Sequence, residues 1–378
     1  MATQISNVES QIEKLIPATM RAAVYRGVND IRVETVPVPR IGPGELLVKV
    51  ATCGICGTDL KKIHTGSHSA PRIFGHEMTG TIVQVGEGVT HFQAGERVMV
   101  FHHVPCGECY YCRKQTPAQC TQYKKVGVTA GFEPAGGGFA EYIRVMDWIV
   151  ASRGVVRIPQ GVPFEQAAFI EPVNTVLKGV KLLNLASDDT VLVIGQGPIG
   201  LLLAALSSRT GARVLTSDLY PERHAIAAKF GLHNPIQAAT ENVVERTLAE
   251  TDGRGADVVI LAVGGTALIQ TAMSAARHGG KVMLFAQTQH GEATIDPGAV
   301  CMDEKTLLGS YSSSFEILDE VTELVLGGYR NGFDLTQLIS HRFPIEQAVE
   351  AIDVASHPKA HSMKIMIEPV SGAGKEKG

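Results

Sequence analysis

The chain has 378 residues, of which 44% are hydrophobic and 19% charged, with 40 Gly and 18 Pro. This is a globular composition, long enough for two domains and a large buried core. A net charge of −4 gives no electrostatic reason to expect nucleic acid as a partner, and no apolar run reaches the roughly 18 residues a membrane-spanning helix needs.

In chain order, residues 1–19 do not read as a secretory signal, because Glu9, Glu13 and Lys14 interrupt any apolar stretch. Ile5, Val8, Ile12, Leu15 and Ile16 recur at helical spacing, so either a short extra helix or a tail precedes a core that begins at Met20. Without an export signal a reducing, cytoplasmic setting is expected, where the seven cysteines favour metal over disulfides. Up to about residue 170 the chain reads as β-rich, with apolar runs at Glu45–Val50, Gly80–Val85 and Arg97–Phe101 punctuated by Gly and Pro. From about residue 187 the rhythm changes. Thr190–Ile194, Arg213–Ser217, Asp257–Val263 and Lys281–Ala286 are predicted strands, separated by helical segments such as Pro198–Arg209 and Pro221–Phe230. That alternation predicts a parallel sheet with helices on both faces. A long helix over Phe315–Leu326, a second over Glu346–Val354 and a strand over Met363–Ile367 complete the pattern.

The strand Val191–Ile194 runs into Gly195-Gln196-Gly197-Pro198-Ile199-Gly200, a G-x-G-x-x-G, and an apolar helix follows. In this context the motif predicts a dinucleotide site. Gly195 permits the tight turn, Gly197 admits the pyrophosphate, and Gly200 lets the helix pack closely on the strand. Pro198 and Ile199 open the helix, whose N-terminus directs N–H groups at the phosphates. The second strand ends at Asp218, eighteen residues past Gly200. A carboxylate there accepts the adenosine ribose hydroxyls and repels a 2′-phosphate, which favours NAD over NADP. Arg223 is placed either to stack on adenine or to pair with Asp218, and Val263, at a strand end before Gly264, is expected beneath the cofactor.

Cys106-x2-Cys109-x2-Cys112-x7-Cys120 supplies four thiolates on one short loop. A closed set of four cysteines with no open position is a structural zinc site, and the metal would hold a loop with little core of its own. An iron–sulfur cluster also takes four cysteines, but the last gap and the lack of a Pro after Cys120 count against it. Two disulfides fit least well in a reducing cell.

A catalytic zinc needs about three protein ligands and one exchangeable position. Cys56, in Cys53-Gly-Ile-Cys56-Gly-Thr58-Asp59, and His76 and Glu77, in Gly75-His76-Glu77, can supply them, with Glu171 of Glu171-Pro172 near the open position. Alone, each piece has a plainer reading: a Cys is a small buried hydrophobe, His-Glu beside Gly is a turn, and Glu-Pro starts a helix. Cys53 is assigned to packing, and His102 and His103 to structural roles at a strand end.

These motifs occur in one order: Gly-Ile-Cys56-Gly-Thr58-Asp59, Gly75-His76-Glu77, the four cysteines, Glu171-Pro172 and the Gly-rich turn. Taken together over about residues 20–370, they resemble the zinc-containing medium-chain alcohol dehydrogenases, with most similarity to the polyol (sorbitol/L-iditol) and threonine dehydrogenase branch. The resemblance implies a GroES-like, β-rich catalytic domain beside a Rossmann doubly wound cofactor domain. Expected boundaries are an N-terminal extension at 1–17, the catalytic domain with its zinc lobe at 18–172, the NAD domain at 173–310 and a return to the catalytic domain over 311–378. It also implies two zinc ions per chain: one ligated or bordered by Cys56, His76, Glu77 and, directly or through water, Glu171, the other held by Cys106, Cys109, Cys112 and Cys120. Thr58 would begin a proton relay from the substrate hydroxyl. The chain departs from relatives in carrying Lys61 and Lys178 where a relay His is common, and these lysines are candidates for binding an anionic group.

The expected activity is hydride transfer from a secondary alcohol of a small polyol to NAD, with the nicotinamide reaching a cleft between the domains. An L-threonine 3-dehydrogenase-like reaction and a non-enzymatic cofactor-binding or sensing module are the alternatives. The expected partners are a small polar alcohol and further copies of the chain, as a tetramer, with neither nucleic acid nor membrane.

Overall fold

The computed structural model describes residues 16–233, 235–286 and 291–369. The N-terminal helix expected from the spacing of Ile5, Val8, Ile12 and Leu15 lies outside them. Helices of eight or more residues are numbered here among the described residues. The strands β1 (Thr19–Gly27), β2 (Asp30–Pro37) and β3 (Leu46–Gly54) lead to α1 (Gly57–Thr65). Then come β4 (Arg72–Ile73), β5 (Glu77–Val85), β6 (Arg97–Val100), β7 (Val128–Thr129), β8 (Tyr142–Val145), β9 (Val155–Arg157) and α2 (Ile170–Leu183). The α/β part follows as β10 (Thr190–Ile194), α3 (Pro198–Ser208), β11 (Arg213–Asp218), α4 (Glu222–Lys229), β12 (Pro235–Gln237), α5 (Val243–Glu250), β13 (Ala256–Leu261), α6 (Ala267–Ala275), β14 (Ala276–Leu284) and β15 (Thr306–Gly309). The chain ends in β16 (Ile339–Pro344), α7 (Ala348–Ser356) and β17 (Lys364–Glu368).

The chain divides into two compact units, 1–171 with 315–378, and 172–314. In the first, β3 pairs antiparallel with β5, β8 and β17, so a strand from the end of the chain completes a sheet begun near its start. The sheet runs β16-β17-β3-β5-β6-β9, with β8 also on β3 and β7 on β8. Its buried face is built from apolar side chains, among them Val48, Val50, Met78, Ile82, Val98 and Ile143, all fully buried.

The second unit carries six parallel strands in the order β12-β11-β10-β13-β14-β15. Every residue of β10 and β13 is buried, as expected for central strands covered on both faces. The order reverses between β10 and β13, and in sheets of this kind a ligand lies beyond the carboxyl ends of the strands at that point.

One element differs from expectation. The single helix predicted over Phe315–Leu326 is broken into a 3₁₀ turn at Phe315–Ile317, an α-turn at Leu318–Thr322 and a π-turn at Glu323–Gly327. The buried Gln166 amide donates to the Val325 carbonyl at 2.8 Å and to the Phe333 carbonyl at 3.0 Å. A side chain that takes a carbonyl out of the helical ladder widens the turn there, and Gly327 and Gly328, poor helix formers, lie where the π-turn gives way to a last α-turn at Gly328–Arg330. Among the described residues no helix is long and apolar enough to cross a membrane.

Candidate metal and dinucleotide sites

In the first unit, β3 ends at Gly54 and α1 begins at Gly57, so Cys56 sits at the helix N-cap. Its sulfur accepts from the Thr58 backbone N–H at 3.5 Å, and its own N–H donates to Asp59 Oδ2 at 3.2 Å. The turn before β5 delivers His76 and Glu77. The sulfur of Cys56, a ring nitrogen of His76 and a carboxylate oxygen of Glu77 all lie within 4.8 Å of one another.

The orientation of His76 is fixed by Asp59, which is completely buried and accepts from His76 Nδ1 at 3.0 Å and from the Gly75 N–H at 3.3 Å. Metal-binding imidazoles are commonly steered by such a carboxylate on the far nitrogen. Burial pushes the His76 ring towards neutrality. The Asp59 carboxylate, the Cys56 thiol and the hydrogen bonds to both outweigh it, so the imidazole titrates well above its ordinary value. Glu77 forms a buried ion pair with Lys364 of β17, whose ammonium also donates to the Ile55 carbonyl at 3.1 Å. Glu171, in the first turn of α2, is not one of the three clustered ligands, but it is buried and feels His76, Glu77, Lys364 and Asp59. Burial is the main cause that lifts its carboxyl to about 7. A soft thiolate, an imidazole and a carboxylate at this spacing fit a zinc ion with an exchangeable position. The Thr58 side chain is exposed on the first turn of α1, and Lys61 is half-buried one turn further on.

The four-cysteine lobe folds around its sulfurs. Cys109 and Cys112 are 3.6 Å apart, Cys106 and Cys120 3.6 Å, and Cys106 and Cys112 4.0 Å, and all four lie within 4.8 Å of one another. A tetrahedral zinc with Zn–S bonds of about 2.3 Å places its sulfurs about 3.8 Å apart, so the donor set fits a closed structural site. The lobe's own apolar cluster is only Cys112, Ala118, Cys120 and Tyr123, with Cys109 and Phe315 against it, too little to hold the loop unaided.

Two residues assigned to structure lie beside the first centre. The His102 ring packs on His76, with centroids 4.8 Å apart, and His103 packs on His102 at 3.7 Å. Sequence reasoning also missed Lys364, which lies within the predicted strand Met363–Ile367; a lone Lys in an apolar strand is the available signal. Cys53 is fully buried in the apolar core.

In the second unit the Gly-rich turn leaves β10 at the point of strand-order reversal. Gly195 has φ of +104°, and a side chain there would strike Val263, while a Cβ at Gly200 would strike the Gly195 carbonyl. Only glycine permits both the backbone conformation and the approach. Gly197 caps α3 without a side-chain partner, Pro198 opens the helix, and space is open where a Gly197 side chain would stand. Together these features form a helix N-terminus open to an anion, next to Ile199 and Gly200. Asp218 ends β11. Its carboxylate accepts from the Gln196 N–H at 2.7 Å, the Tyr220 N–H at 2.9 Å and Arg223 at 3.1 Å, so Arg223 pairs with the acid while also lying over the Tyr220 ring. His224 bridges Gln196 at 2.9 Å and Gln237 at 2.8 Å beneath this turn, a connection with no sequence motif behind it. Lys178 donates to the Tyr311 carbonyl at 2.7 Å and so ties α2 to the loop after β15. The turn fits the pyrophosphate of a nicotinamide dinucleotide.

Comparison with known proteins shows the family. Residues 42–159 match the alcohol dehydrogenase GroES-like domain and residues 198–327 the zinc-binding dehydrogenase family. The chain is 29% identical to a sorbitol dehydrogenase of Bacillus subtilis over 362 residues, covering 94% of this chain and 98% of that protein. It is 33% identical to an L-threonine 3-dehydrogenase of Sinorhizobium medicae, covering 83% and 89%. A zinc-binding dehydrogenase of Sinorhizobium meliloti, solved bound to NADP, superposes with a TM-score of 0.82 at 30% identity, covering 93% of this chain and all of that one. The chain belongs to the zinc-containing medium-chain alcohol dehydrogenase family, with a GroES-like half, a Rossmann half and a nicotinamide cofactor.

Proposed function

We propose that the chain oxidises a secondary hydroxyl of a small polyol, as sorbitol/L-iditol 2-dehydrogenases do, and delivers the hydride to NAD. The observation that carries this reading is the mixed donor set of Cys56, His76 and Glu77. A carboxylate in place of a second thiolate makes the centre harder and more exchangeable, which suits vicinal diols better than simple alkanols. When bound, zinc supplies Lewis-acid polarisation of the substrate oxygen and the nicotinamide supplies the hydride acceptor. Asp59 holds the His76 ring, Lys364 holds the Glu77 carboxylate, and Glu171 serves as a direct or water-mediated ligand. The exposed Thr58 hydroxyl passes the substrate proton outward. Gly195, Gly197, Pro198, Ile199 and Gly200 receive the pyrophosphate with Val263 packed beneath. Asp218 supports NAD over NADP, since a 2′-phosphate would meet its carboxylate.

Turnover screened with sorbitol, xylitol, inositols and L-threonine, each with NAD and with NADP, tests the proposal, alongside zinc content. Oxidation of L-threonine alone replaces the polyol reading with the amino-alcohol one, which the 33% identical relative favours. Two zinc ions per chain with no turnover on any alcohol points instead to a cofactor-binding or sensing module. A cytoplasmic homotetramer belongs to the same reading. Its support is β15, which pairs only with β14 among the described strands, and the exposed Met302 and Val300 that precede it. Light scattering of the purified protein measures the assembly.

A further inference from the structure

Phe101, His102 and His103 carry the chain from β6 towards the four-cysteine lobe. The two imidazoles belong to a ladder of four rings. His76 meets His102 at 4.8 Å with the planes at 43°, His102 meets His103 at 3.7 Å and 40°, and His103 meets Tyr123 at 3.9 Å and 48°. One end of the ladder is a member of the Cys56/His76/Glu77 cluster. The other end, Tyr123, is buried among Cys112, Ala118 and Cys120 in the middle of the lobe.

The two central rings are held by packing. His102 Nδ1 and His103 Nε2 are both buried without a hydrogen-bond partner, and the connection that fixes the local backbone is the Gly127 N–H donating to the His102 carbonyl at 2.8 Å. Asp59 anchors His76 at Nδ1, and the Cys56 sulfur also hydrogen-bonds the ring. Both bonds act at the edge of the ring, and the face of His102 limits its tilt. Close-packed interiors pass on a displacement rather than absorb it.

We propose that His102 and His103 form a strut through which the metal state of the four-cysteine lobe sets the metal affinity of the Cys56/His76/Glu77 centre. Closing the lobe around its ion seats Tyr123. Tyr123 braces His103, His103 braces His102, and His102 holds His76 in place beside Cys56 and Glu77, the residues that would share the ion. His102 is on this view a positioning residue. The proposal rests on reading both clusters as metal centres, and the coupling is reciprocal by thermodynamic necessity.

The test uses the full chain loaded with zinc, from which the exchangeable ion is removed by a mild chelator. Co(II) is then titrated while the cobalt–thiolate absorption of the Cys56 centre is followed, with zinc retained in the lobe counted by mass spectrometry. In His103→Ala the Co(II) affinity is expected to fall about tenfold or more, within the range seen for groups that orient a metal ligand, and in His103→Phe, which keeps the ring, to stay within about twofold of wild type. Tyr123→Leu and Tyr123→Phe form a second pair at the far end, with the same expectation, and are read if His103→Ala does not fold. The strut is overturned if the Ala and Leu variants bind Co(II) as wild type does while retaining lobe zinc. It is equally overturned if the Phe variants weaken binding as much, because a nitrogen or the hydroxyl, and not the stacked rings, then matters. Wild-type protein with no cobalt–thiolate band overturns the metal reading of the Cys56 centre and the strut with it; an unchanged affinity in the variants sinks the strut alone.

Discussion

The Lys364 ammonium on β17 and the Glu77 carboxylate on β5 form an ion pair in which the side chains are only 7% and 2% exposed. Both strands flank β3, so the pair closes the sheet at the same place where it holds a candidate metal ligand. Removing one member of a buried pair leaves an uncompensated charge and costs about 3–5 kcal/mol. Lys364→Met should therefore lower stability by that order in urea unfolding. The double variant with Glu77→Gln should recover much of the loss without recovering activity.

Asp59→Asn keeps the size of the side chain but removes the charge that steers His76 and receives the N–H groups of Cys56 and Gly75. Partners of this kind contribute about 10–100-fold to metal affinity. Zinc competition with a chromophoric chelator is expected to show a loss in that range at the exchangeable site, with the lobe zinc unchanged.

Cys112→Ser removes one of four converging sulfurs from a lobe with almost no apolar core. Zinc content is expected to fall from two per chain towards one, with a lower melting temperature, because metal binding there is folding free energy. A melting temperature equal to wild type would show that the lobe holds itself together.

The pH dependence of the metal-free protein should carry the signature of Glu171. Burial raises its folded-state value to about 7 from 4.5, so the folded chain binds this proton more tightly than the unfolded one. The associated stability is present below pH 4.5 and is lost as pH rises through about 7. Glu171→Gln removes the charge, so its melting temperature relative to wild type should rise between pH 5 and pH 8. A constant offset across that range would refute the assignment.

Asp218 holds the Gly-rich turn through the Gln196 N–H and neutralises the buried Arg223. In Asp218→Asn the charge that repels a 2′-phosphate is gone and Arg223 becomes available to it. Fluorescence titration should show the NADH-to-NADPH affinity ratio moving at least about tenfold towards NADPH, the equivalent of about 1.4 kcal/mol.

What was legible in the sequence was whatever is local. Cys106, Cys109, Cys112 and Cys120 share one loop, and Gly195, Gly197 and Gly200 share one turn, so spacing alone states the geometry. Cys56 with Asp59, and His76 with Glu77, are short-range pieces whose meeting needed the order of motifs. Lys364 could not be read, because its partner Glu77 reaches it only through two strand pairings across β3. His102 and His103 look like any strand-end histidines until the stacking on His76 and Tyr123 is measured. The break after Phe315 was hidden for the same reason: its cause is the distant amide of Gln166.

The pairing of β17 with β3 has a consequence for how the chain is made. Residues 172–314 form one uninterrupted stretch, whereas the other unit needs both 1–171 and 315–378. During synthesis the Rossmann half can finish folding as soon as it leaves the ribosome. The half bearing the metal centres must wait, with Cys53 and Gly54 at the end of β3 unpaired on one side, until β17 emerges. Lys364 arrives with that strand, so the Glu77 carboxylate gains its counter-ion only once β17 has been made, and a nascent chain stalled short of β17 would expose an unpaired strand edge to its neighbours.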